Sequence, residues 1–146
     1  MLKILIEDLG EGEEEQVIIR CDKLSDDLLR IIYSAKTGER VLFGYSGEEI
    51  HRLQPDDAYY FEAVDNRVFL YCFQTVYETK YKLYELEDVL SGGDFLRVSK
   101  SVVLNMGKIK SLRPAFSGRF EAVLDNGEKV IISRQYVPEL KKKLGL

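Results

Sequence analysis

Apolar and polar residues alternate through most of this chain, and that alternation predicts strands. Val41, Phe43 and Tyr45 alternate, AYYFEAV and RVFLYCF flank the turn-forming pair Asp65-Asn66, and VYETKYK continues the period. Further on, RFEAVLD and EKVIIS flank Asn126-Gly127, a pair that readily adopts the positive φ angles of a type I′ turn. Two stretches switch to helical spacing. Leu83, Leu86, Val89 and Leu90 predict a short helix that Gly92-Gly93 ends, and Leu24, Leu28, Ile31, Ile32 and Ala35 fall on one face of an earlier helix, with Asp22 or Ser25 as its cap and Gly38 as its stop. Before it, LKILIED and QVIIRC are two β-rich runs separated by the acidic turn LGEGEEE, which suggests a hairpin.

The fold class expected is therefore mostly β: a multi-stranded domain over residues 39–146 with one or two short helices, preceded by a small ββα extension over residues 1–38. No βαβ alternation is present. The extension is too small to bury its own helix stripe, so that stripe must cover either the main domain or a second copy of itself, and a homodimer is one expected outcome.

Residues 95–109, FLRVSKSVVLNMGKI, thread basic residues through an apolar strand pattern. Phe95, Val98, Val102, Val103 and Leu104 can anchor the segment in a core, while Arg97, Ser99, Lys100, Ser101, Asn105 and Lys108 offer donors suited to phosphates and base edges. An ordinary amphipathic strand with a solvated face would look the same.

Charge sharpens the picture. The net charge of −4 argues against a nucleic-acid partner, because sequence-independent affinity for DNA comes from neutralising phosphates. The average hides an asymmetry: residues 1–96 carry 10 basic against 21 acidic side chains, and residues 97–146 carry 11 against 4, a net +7. A basic C-terminal third on an acidic body fits one anion-facing surface. Cys21 and Cys72 each lie in an apolar run, where a buried reduced thiol is expected. No stretch approaches the roughly 20 apolar residues of a membrane helix, and the short run at residues 2–6 is no signal-peptide core, so a cytoplasmic protein is expected.

Catalytic constellations are missing from the pattern. Gly10 and Gly12 are followed by acids that would repel a phosphate, His51 is the only histidine and makes no zinc set with two distant cysteines, and the adjacent pairs Glu48-Glu49 and Asp56-Asp57 point different ways. Tyr77, Tyr81 and Tyr84 follow strand and helix spacing more closely than a stacking platform would require. No metal, cofactor, small-molecule substrate or enzymatic activity is expected.

With DDAYYFEAVDNRVFLY upstream and LDNGEKVIISRQYVPELKKKL downstream, the central segment resembles the LytTR family of bacterial DNA-binding domains, whose pattern centres on F-x-R-x-x-x-S-x-x-V/L-N and closes with S-R-x-Y. The matching positions are Phe95, Arg97, Ser101, Leu104, Asn105, Ser133, Arg134 and Tyr136. The resemblance spans about residues 40–146 and leaves the first forty uncovered. It implies an elongated β domain that lays loops, not a recognition helix, into successive major grooves of double-stranded DNA. Carried across residue by residue, it implies base contacts from Asn66, Arg67, Lys100, Arg134 and Gln135, and Ser101, Lys108 and Lys110 flank the same segment as phosphate contacts.

The resemblance further implies a bacterial transcription regulator. Its best-known members place the domain behind a phosphorylated receiver, for which the first forty residues, an acidic and β-rich segment, leave no room, so a stand-alone regulator is expected. Stand-alone members make a small membrane protein an expected partner. The alternative is a protein-interaction module that uses the acidic N-terminal body, with the basic third merely solvated.

Overall fold

Two units of unequal build divide the chain, Met1–Gly38 and Glu39–Leu146. The structure, a computed structural model, describes residues 3–37 and 41–146, leaving aside the side chains of Arg30 and of residues 33–37. Gly38 and Glu39, and the side chain of Ala35, therefore lie outside the described residues.

In the first unit a single helix, α1 (Asp26–Thr37), forms where the apolar spacing predicts it. Ser25 is the cap rather than Asp22: its Oγ accepts the Leu28 backbone N–H at 3.2 Å, and Asp26 and Asp27 set negative charge against the positive end of the helix. The predicted hairpin is not there. A turn closes at Gly10 and Glu13, where each backbone N–H finds the other residue, but residues 3–21 form no strand ladder. Ile4 and Ile6 stand 83% and 88% exposed, so neither run buries the apolar face that would repay ordering it, and a lone two-stranded hairpin is marginal in water. Cys21, expected to be buried, is exposed for the same reason.

The second unit is antiparallel β throughout. Strands β1 (Leu42–Ser46), β2 (Glu49–Leu53), β3 (Tyr60–Val64), β4 (Arg67–Tyr71), β5 (Val76–Thr79), β6 (Phe95–Arg97) and β7 (Val102–Asn105) make a seven-stranded sheet in the order β2-β1-β5-β4-β3-β7-β6. Strands β8 (Ile109–Pro114), β9 (Phe120–Leu124) and β10 (Lys129–Ile132) make a second sheet in the order β10-β9-β8. Helix α2 (Leu83–Val89) follows β5, and helix α3 (Val137–Leu144), which apolar spacing does not announce, closes the chain. Gly44 on β1 is fixed by packing, because a Cβ there would lie 2.7 Å from the Tyr77 side chain.

Strand β7 explains how the sheets join. All four of its residues are buried, since alternate side chains face opposite sides and both sides are covered. Val103 joins Leu42, Phe61, Val68, Leu70, Leu83, Leu86 and Leu90 in a core beneath α2. Val102 and Leu104 point the other way, into a second core with Leu96, Val98, Ala122, Leu124, Ile132 and the α3 residues Val137 and Leu140.

The two hairpin turns differ in form, and only the Asn126-Gly127 turn departs from the form expected. Asp65 and Asn66, which contain no glycine, both adopt positive φ (50° and 63°), giving the two-residue primed turn between β3 and β4. At Asn126-Gly127 only Gly127 is positive, at 89°, and the Leu124 N–H reaches the Glu128 carbonyl at 2.8 Å, so the loop is the three-residue form with a bulge. Asn126 stays out of the left-handed region because its side chain is occupied: its Oδ1 accepts from Glu128 N, and its amide donates to the Phe73 carbonyl at 3.1 Å.

Candidate nucleic-acid interface

Three loops meet at one end of the second unit, and backbone hydrogen bonds hold them in register. Ala63 N donates to the Ser101 carbonyl at 2.8 Å, which ties the strand end before the Asp65-Asn66 turn to the loop between β6 and β7. Ser133 N donates to the Val98 carbonyl at 2.8 Å, which ties that same loop to the short helical turn Arg134–Tyr136 after β10. The Asn66, Lys100 and Arg134-Gln135 positions thus sit on one scaffold, and all four side chains are exposed.

The loop carrying Lys100 has its shape fixed from below. Arg97 on β6 aims its guanidinium inward, donating to the Ser99 carbonyl at 2.8 Å, to the Lys100 carbonyl, and to Glu87 of α2 at 3.0 Å. Ser99 Oγ accepts the Ser101 N–H at 3.2 Å and finishes the turn. With its carbonyl held, Lys100 projects its ammonium outward. Arg97 is therefore a positioning residue.

Much of the sequence motif serves the scaffold in the same way. Asn105 is buried, donating its amide to the Ala58 carbonyl at 2.9 Å and accepting the Gly107 N–H at 3.0 Å. Leu104 is core, Tyr136 packs against the same core, and the Phe95 ring lies 5.9 Å from that of Phe61. Such buried polar groups are costly unless satisfied, and among the described residues no buried side-chain nitrogen or oxygen lacks a partner.

The remaining predicted cations divide. Arg67 is exposed but bidentate to Glu78, at 2.9 and 2.7 Å, and its guanidinium lies 5.2 Å from the Phe69 ring centre. That pairing raises the pKa of Arg67 and lowers that of Glu78. A base contact by Arg67 would exchange this partner. Lys108 is committed differently: only 18% of its side chain is exposed, its ammonium sits 5.1 Å from the Tyr59 ring centre, and Asp56 lies 3.9 Å away. Lys108 acts as a tether, and a phosphate contact by it would compete with these partners. Lys110 is exposed, at the irregularity between Ile109 and Ser111 where β8 bulges against β9. Both lysines lie by the Leu124 end of the second sheet, four residues of strand, or roughly 13 Å, from the end where Arg134 sits.

Sequence reasoning misses Arg119, which lies at the Arg134 end, and Lys129, which starts β10 opposite Val123. Arg119 lines an open cleft of about 370 Å³ with Tyr60, Glu62, Ser99, Ser101 and Ser133, and has no ion-pair partner among the described residues. Lys129 lines the same cleft, with Glu121 3.9 Å from its ammonium. The available signal was RPAFSGR, a turn-forming segment bracketed by arginines. His51, by contrast, lies where a surface residue was expected, on β2 with its Nε2 3.1 Å from Glu49. Among the described residues no three metal-ligating side chains converge.

An antiparallel β unit that presents polar loops from one sheet end defines the class. The chain belongs to the LytTr DNA-binding domain family, which matches residues 48–145. It is 28% identical to the LytTr DNA-binding domain of a response regulator from Bacillus cereus, whose solved structure superposes with a TM-score of 0.70 over 75% of this chain and 100% of that one. Among sequence relatives, the sensory transduction protein LytT of Enterococcus faecalis is 30% identical over 138 residues, 92% of this chain and 57% of its own length. LytT of Bacillus subtilis is 29% identical and covered over 59% of its length, so the chain spans little more than half of either LytT protein. An uncharacterized HTH-type transcriptional regulator of Staphylococcus aureus is 26% identical, and there the match takes in 100% of both chains.

Proposed function

We propose that this chain is a sequence-specific, double-stranded DNA-binding transcription regulator that inserts loops into successive major grooves. The observation that carries the reading is the tying of three exposed loops, at Asn66, Lys100 and Arg134-Gln135, to one sheet end of a LytTr domain. Asn and Gln can pair bidentately with adenine, and Lys or Arg with guanine O6 and N7. Arg67 joins them by exchanging Glu78 for a base. Ser101 and Lys110 serve as phosphate contacts, and Arg119 takes the place of Lys108 in that role.

On this reading the chain is not an enzyme, and it works in the cytoplasm, where its DNA is. Among the described residues no helix is long and apolar enough to cross a membrane. A homodimer through residues 1–38 is part of the proposal, supported by Leu24, Leu29 and Ile31 standing exposed on and beside α1. A small membrane protein partner rests on the family resemblance alone.

The test is binding of the full chain to fragments upstream of its own gene, across a salt series. Each phosphate neutralised contributes about 0.9 to the slope of log affinity against log salt, so a handful of contacts gives a slope on the order of −4 to −6 for a selected fragment. Failure to bind any fragment at low salt overturns the proposal.

A further inference from the structure

Phe116 is 88% exposed, the most exposed of the large apolar side chains described in residues 41–146. Two hydrophobic cores lie within the same unit, and Phe116 belongs to neither. An exposed aromatic on a disordered loop would carry little meaning, but this one is held. The turn Phe116–Gly118 is closed at its base by Ala115 N donating to the Arg119 carbonyl at 2.8 Å, directly above the last β8–β9 pair, Pro114 with Phe120. Ser117 and Gly118 both lie in the left-handed region, at φ 61° and 76°, which reverses the chain tightly enough to push the ring outward.

The turn is also joined to the site already described. A Cβ on Gly118 would come within 3.0 Å of Arg134 Cδ and 3.1 Å of its Cγ. The aliphatic stem of Arg134 therefore packs on the bare face of the Phe116 turn, and both side chains are presented by one contact. Arg119 flanks the turn with no ion pair among the described residues, while Arg113 on its other side pairs with Glu121 at 2.7 Å, so the charge left beside the ring comes from Arg119 and Arg134 and suits a polyanion. In a major groove the one apolar group on the base edges is the thymine 5-methyl, and phenylalanine is among the side chains that fit it.

We propose that Phe116 reads DNA, packing its ring on a thymine 5-methyl group beside the base reached by Arg134. The inference rests on the DNA-binding reading above. It adds an apolar determinant to a site otherwise built from hydrogen-bond donors and acceptors.

The experiment uses the full chain, wild type and Phe116→Ala, on a fragment bound in the promoter screen, with each thymine of the site replaced in turn by deoxyuridine. One replacement is expected to weaken the wild type about threefold to fivefold, the worth of about one buried methyl group. Phe116→Ala is expected to lose roughly tenfold on the unmodified fragment, to be indifferent to that replacement, and to bind random DNA within about twofold of wild type. Its thermal midpoint is expected to be unchanged, since the ring lies outside both cores. A silent deoxyuridine scan overturns the thymine contact, whatever Phe116→Ala does. Independent losses that multiply overturn it too, as does a Phe116→Ala variant that matches wild type on the selected site. Absence of any wild-type DNA binding is a different result and overturns the DNA-binding reading itself.

Discussion

The two ends of the three-stranded sheet hold similar residues and use them in opposite ways. At the Leu124 end, Lys108 lies half-buried along Tyr59, the Tyr59 hydroxyl donates to Asp125, and Asn126 bonds the Phe73 carbonyl. At the Pro114 end Arg113 is paired to Glu121, but Arg134, Gln135, Arg119 and Lys100 are exposed with no ion-pair partner among the described residues, and the Phe116 ring stands exposed with them. A cation becomes structural when the fold supplies its partner, and is left for an outside partner when the fold supplies only a platform. Residue type alone does not distinguish Lys108 from Lys100.

Removing what both ends share has the largest expected effect. Leu104 is fully buried on β7, the strand that separates the two cores, and Leu104→Ala should lower stability by about 2–5 kcal/mol through lost transfer energy and the cavity left behind. Denaturant unfolding measures it. A loss below about 1 kcal/mol would mean that the second sheet holds its place without β7.

Exchanging the two ends tests the comparison directly. Lys100→Ala and Arg134→Ala should each cost about 1–3 kcal/mol at a selected DNA site, relax preference at particular base pairs and leave the unfolding midpoint in place. Lys108→Ala should do the reverse, lowering stability by about 1 kcal/mol through the lost contact with Tyr59 while DNA affinity stays put. Asp56 contributes little to that figure, because it is 94% exposed. If Lys108→Ala weakens DNA binding with an unchanged midpoint, Lys108 is a DNA contact rather than a tether and the division fails.

The sheet was legible because strand alternation needs only nearest neighbours. Val68 and Leu70, and Val130 and Ile132, each bury alternate positions as the pattern requires. Helix α3 was not legible, since Val137 and Leu140 are its only buried residues and Pro138, Glu139, three lysines and Leu144 make up the rest of its length. The extension misled for a related reason: LKILIED and QVIIRC have strand composition, but composition does not supply a second surface to cover them. At the site, the motif in residues 95–105 was readable while its division of labour was not. Arg97 and Asn105 carry the polar groups one would assign to DNA, yet both are spent inside the domain on carbonyls far from them in sequence or hidden under the loop. Which donor is spent internally depends on burial and tertiary partners, and neither is written in spacing.

The smallest expected effect separates the closed end from the open one by pH. The Tyr59 hydroxyl is pushed up to about 12, first by burial and then by its hydrogen bond to Asp125 and that carboxylate's charge. An unfolded tyrosine titrates near 10, so the folded chain favours the neutral hydroxyl. Its contribution is fully present below about pH 10 and is lost as pH rises through about 12. Tyr59→Phe keeps the ring under Lys108 and deletes only the hydroxyl. Because Asp125 is exposed and can return to water, the loss near pH 8 should be about 1 kcal/mol. The gap between the two proteins should then shrink steadily from pH 10 to 12, with the other raised tyrosines, Tyr60 and Tyr71, contributing equally to both. DNA affinity at pH 8 should not change. Unfolding curves whose separation is constant from pH 8 to pH 12 would show that the Tyr59–Asp125 bond does not hold the Leu124 end closed.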